Sequence, residues 1–137
     1  MIEIFRRWSP VTLLVLFTWI AACANAPPLS IKSEKGGVVV DVQTLGEYRT
    51  SVSRVRLTDT GTGEVLWELT ARDGEPQIHE IALRPGANSA EIPSVSAGTF
   101  KVVVPSGSNS FALPSGGKFL IEVWNPSGAH SSASFAF

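Results

Sequence analysis

Ser51-Val-Ser-Arg-Val-Arg-Leu-Thr58, Asp59-Thr-Gly-Thr-Gly63 and Glu64-Val-Leu-Trp-Glu-Leu-Thr-Ala71 follow one another without a break, and this stretch decides the fold. Apolar and polar residues alternate on both sides of a turn-forming centre. In the first run Val55 and Leu57 share one face, while Arg54, Arg56 and Thr58 share the other. That two-residue period belongs to a half-buried strand. In the second run Val65, Trp67 and Leu69 are expected inward. The glycines between the runs supply positive φ at little steric cost, so the stretch predicts a β-hairpin.

The same grammar extends in both directions. Upstream, Val38-Val-Val-Asp-Val-Gln-Thr-Leu45 is rich in β-branched residues and predicts a strand, with a turn at Gly46-Glu47-Tyr48. Downstream, strands are expected over 77–83, with His79, Ile81 and Leu83 on one side, and over 90–92, ended by Pro93. Further strands are expected over 99–104 (Phe100, Val102 and Val104 inward), 111–113, 118–124 (Phe119, Ile121 and Val123 inward) and 132–137. Gly98-Thr-Phe100 and Gly117-Lys-Phe119 open two of these strands in the same way. Short strands at regular spacing, with no helical period after Cys23, predict a single antiparallel β-sandwich of seven to eight strands over 38–137.

Ahead of that body stands a different kind of sequence. Arg6 and Arg7 precede the apolar run Val11–Ile20, and small residues follow at Ala21, Ala22, Ala24 and Ala26. This is the order of a secretory signal peptide, expected as an N-terminal helix over 1–22. The apolar stretch is well short of the roughly 20 residues a spanning helix needs. The chain's single cysteine, Cys23, cannot form an internal disulfide in an exported protein. Residues 23–37 contain Pro27-Pro28 and a polar run with Lys32, Glu34 and Lys35, and are expected to be a flexible tether.

Ile20-Ala21-Ala22-Cys23 resembles the lipobox of bacterial lipoproteins: an aliphatic residue, two small residues, then cysteine. The resemblance implies a diacylglycerol on the Cys23 sulfur, cleavage just before Cys23 and acylation of the new N-terminus. Ile20 stands where leucine is usual. Position 24 is Ala rather than the Asp that retains such proteins at the inner membrane, so the resemblance implies the outer membrane, facing the periplasm or the cell surface. More than one acyl chain is needed for a stable hold, since one anchors only marginally. The strand pattern over 38–137 resembles immunoglobulin-like and prealbumin-like domains of bacterial surface proteins. That resemblance implies a fold and no activity.

Composition removes several functions. Of 12 acidic and 11 basic residues, Glu3, Arg6 and Arg7 lie ahead of the cut, leaving 11 against 9, a net of −2 with no basic block. Nucleic-acid binding is unsupported. His79 and His130 stand alone, without cysteines or carboxylates at metal-ligand spacing, so no metal or other cofactor is expected. No Gly-x-Ser-x-Gly motif occurs, and the chain is expected not to be an enzyme. Glu64, Glu68, Glu80 and Glu122 are expected on solvated strand faces. Leu66, Val103, Leu120 and Trp124 fall opposite the inward set. If clustered they form an apolar contact surface, with Trp124 its aromatic anchor. Two functions follow: an interaction or assembly module with an envelope protein partner, or a carbohydrate- or peptidoglycan-binding module using Trp124.

Overall fold

The computed structural model describes residues 26–42, 51–72, 76–86, 89–93, 95–96, 98–106 and 111–137. The expected signal-peptide helix, the Ile20–Cys23 motif and the turn at 46–48 lie outside the described residues. Nine strands are present among them: β1 Leu29–Glu34, β2 Gly37–Val42, β3 Arg54–Asp59, β4 Val65–Ala71, β5 Glu80–Leu83, β6 Ala90–Glu91, β7 Phe100–Val104, β8 Lys118–Trp124 and β9 His130–Ala136. They form two antiparallel sheets, one of order β1-β2-β5-β6 and one of order β7-β4-β3-β8-β9. The sheets face each other across one apolar core, which makes the molecule a β-sandwich.

The hairpin that decides the fold is β3–β4. The Asp59 carboxylate Oδ1 accepts hydrogen bonds from the Gly61 and Thr62 amides, at 2.8 and 3.3 Å, and holds the turn closed. The inward residues of the five-stranded sheet are those the alternation marks. Val55, Leu57, Phe119, Ile121 and Val123 are wholly buried, and Trp67 and Leu69 nearly so. From the other sheet come Val38, Val40, Val42, Ile81 and Leu83. Val52 and Ile78 seal one end of the sandwich. Burying each such side chain contributes about 1.5–3 kcal/mol, so this layer dominates the stability.

The expected tether is in part a strand. Leu29–Glu34 pairs with β2 in register from Leu29↔Val42 to Glu34↔Gly37, around the two-residue turn Lys35-Gly36. Leu29 and Ile31 pack against the core while Ser30 and Lys32 alternate with them. Lys32 also pairs with Asp41 at 3.4 Å. The polar residues of an edge strand gave this segment the composition of a linker. Pro27, too, is fully buried. The sandwich therefore begins about ten residues earlier than position 38.

Three further positions depart from simple alternation, all because of two register shifts. Between β3 and β4 the pairing slips, so that Leu57 faces Trp67 but Thr58 faces Val65. Leu66 is the extra residue of this bulge and packs against the core, while Val65 joins the outer face opposite Thr58. A second slip between β4 and β7 sets Val104 opposite Glu68, whereas Phe100 and Val102 reach the core.

The two Gly-x-Phe entries do different work. Gly98 takes a φ of +89°, which only glycine adopts cheaply. At Gly117 the need is space: a Cβ there would sit 2.5 Å from Cζ of the buried Phe119 ring.

Candidate functional site

The register of the five-stranded sheet builds its outer face in rows. The pairings Thr70↔Lys101, Arg54↔Thr70, Arg54↔Trp124 and Trp124↔His130 place Lys101, Thr70, Arg54, Trp124 and His130 side by side across all five strands. Directly opposed residues of antiparallel strands share a face. The next row runs Val104, Glu68, Arg56, Glu122, Ser132, and the one after it Val65, Thr58, Leu120, Ser134.

The first row is organised around Trp124. The Arg54 guanidinium carbon lies 3.9 Å from the indole centroid, and that of Arg56 lies 5.1 Å away. The His130 ring stacks on Trp124 with centroids 5.0 Å apart and planes inclined by 23°. Because β3 and β9 flank β8, Arg54 and His130 reach the indole from its two sides. Each cation over such a ring contributes about 0.5–2 kcal/mol according to its hydration. His130 is the first residue of β9 and keeps this ring contact although its side chain is 48% exposed. Behind it, the β8–β9 turn is closed by the Asn125 side chain, whose Oδ1 accepts from the Ala129 amide at 3.1 Å.

The second row carries the charge pairs. Arg56 Nε donates to Glu68 Oε2 at 2.6 Å, and His130 Nε2 lies 3.5 Å from Glu122 Oε2. The Glu68 and Glu122 side chains are only 14% and 17% exposed. Alternation led us to expect solvated carboxylates here; cross-strand partners cover them instead.

Of the four residues expected to form one apolar surface, the structure does not make a cluster. Leu66 belongs to the core for the reason given above, and Leu120 is half-buried in the third row. Trp124 is half-buried among Arg54, Arg56 and His130. Val103 alone is an exposed large apolar residue among the described residues, at 39%, on β7, which pairs only with β4 there. The charged neighbours of Trp124 escaped the sequence analysis. The signal was present in Trp124-Asn-Pro-Ser-Gly-Ala-His130, a turn-forming loop whose flanking residues must pair.

Among the described residues, no three His, Cys, Asp or Glu side chains converge as metal ligands, and no helix is long and apolar enough to cross a membrane. Comparison with protein-family models and with curated protein sequences returned no match.

Proposed function

We propose that the chain is a lipid-anchored envelope protein, held through acylated Cys23 at the outer membrane, whose β-sandwich is a non-enzymatic interaction module for an envelope protein partner. The observation that carries this is the position of the docked chain relative to the motif. Pro27 is already buried and β1 starts at Leu29, four and six residues after Cys23. A cysteine so placed adjoins a folded body directly, as suits an anchor. On that body, β7 offers Val103 and an edge unpaired among the described residues to a partner strand. A sugar platform on Trp124 is the weaker alternative. Its ring is flanked by Arg54 and His130, and a sugar stacking there must first displace one of them.

Co-purification from native membranes in mild detergent tests the module, with Val103→Asp in parallel. A stoichiometric protein partner that the substitution weakens is the expected outcome. A monomer in both preparations overturns the proposal.

A further inference from the structure

The first row of the outer face lies at the same end of the sandwich as the anchor. A chain of hydrogen bonds and pairings shows it. Leu29, where β1 begins, pairs with Val42, and the Val42 amide donates to the His79 carbonyl at 2.8 Å. Gln77 bridges to Ser51, and the Ser53 amide donates to the Trp124 carbonyl at 2.8 Å. The Ala71 amide, at the end of β4, donates to the Ser53 carbonyl at 2.9 Å. At full extension the chain from Cys23 to Pro27 spans about 14 Å. An acylated Cys23 therefore holds this end close to the lipid surface, while the turns at Lys35-Gly36 and Asp59–Gly63 point away.

The chemistry of the row fits that position. Arg54 and Lys101 have no carboxylate within 4 Å among the described residues, where the ion pairs are Lys32–Asp41 and Arg56–Glu68 and the His130 ring lies beside Glu122. The acidic residues of this face, Glu68 and Glu122, stand one row further from the anchor and are engaged by Arg56 and His130. Beside Arg54, on the side away from Lys101, stands Trp124 with the His130 ring stacked on it. Tryptophan favours the headgroup level of a bilayer, and arginine and lysine are drawn to anionic lipid phosphates.

The geometry points to a membrane-docking edge: Lys101, Arg54 and Trp124 rest on the headgroup layer of an anionic lipid surface, and so fix which way the anchored sandwich faces. This inference builds on the proposed acylation of Cys23, which would keep the row against lipid in the cell, whereas the affinity of the row for anionic lipid belongs to the row itself.

The test uses the full chain carrying Cys23→Ala. Its partitioning is measured onto vesicles of phosphatidylcholine and onto vesicles of equal parts phosphatidylcholine and phosphatidylglycerol. The preference for anionic vesicles is compared with that of the same chain carrying Arg54→Gln and Lys101→Gln, and with Lys35→Gln and Lys118→Gln, which remove equal charge at the far end. Near an anionic surface each basic residue changes partitioning about fivefold. The near-end pair is therefore expected to cut the preference about 25-fold and the far-end pair to leave it. An unchanged preference in the near-end pair, or an equal loss in the far-end pair, overturns the inference. Thermal unfolding checks that the variants fold. If the near-end pair does not, Lys101→Gln alone, at an exposed position, must still reduce the preference several-fold. Acyl labelling of the unmodified chain in its own cells, against Cys23→Ala, is scored separately. Without labelling the anchor fails, while the vesicle comparison still judges the row; with labelling and no dependence on the row, the anchor stands and the docking edge falls.

Discussion

Ser89 shows how much one side chain can carry. It is a wholly buried polar residue, and its Oγ both donates to the Gly86 carbonyl and accepts from the Leu113 amide, the latter at 2.8 Å. Its own carbonyl accepts from the Arg84 amide at 2.9 Å. The hydroxyl thereby reinforces the single Gly86↔Leu113 bridge that ties the β5–β6 connection to the segment leading into β8. Ser89→Ala removes both hydroxyl bonds and leaves the buried Leu113 amide only its longer bond to the Gly86 carbonyl, at 3.3 Å. We expect a loss of about 1–3 kcal/mol, read as a lowered midpoint in urea with an unchanged slope. The sequence offers no hint of this role, because a serine between Asn88 and Ala90 has the look of any loop serine.

At the scale of the element, strand alternation was legible wherever pairing is regular. Phe119, Ile121 and Val123 were assigned inward from sequence and are wholly buried. It failed at Val65, Leu66 and Val104, because a bulge inserts one residue and reverses every assignment beyond it. Nothing in Glu64-Val-Leu-Trp67 announces the slip, which is set by how β4 meets two neighbours at once. The outer-face row was illegible for a related reason. Trp124 and His130 flank one turn, but Lys101, Thr70 and Arg54 come from other strands, and only the strand registers bring them into the row. β1 was missed on composition alone. The start of its partner β2 at Gly37 makes a further prediction. A Cβ on Gly37 would overlap the backbone carbonyl oxygen of Leu83, which belongs to β5 and cannot swing aside. Gly37→Ala is expected to cost about 1–3 kcal/mol by overpacking, seen as a lower melting temperature.

The whole molecule sets its own boundary. Since Leu29 and Ile31 pack on the core and Pro27 is buried, a chain starting at Ala26 is expected to unfold in one cooperative transition. A chain starting at Gly37 should lose that transition or aggregate through the bared edge of β2; circular dichroism with light scattering separates the two. β1 also touches β9, so the earliest strand and the latest one lie together along one side of the sandwich. β8, the central partner of β3, is likewise made late. A growing polypeptide that has not yet reached residue 130 therefore cannot shut its core, however complete its first hairpin is. Closure of the core waits until β8 and β9 have been made.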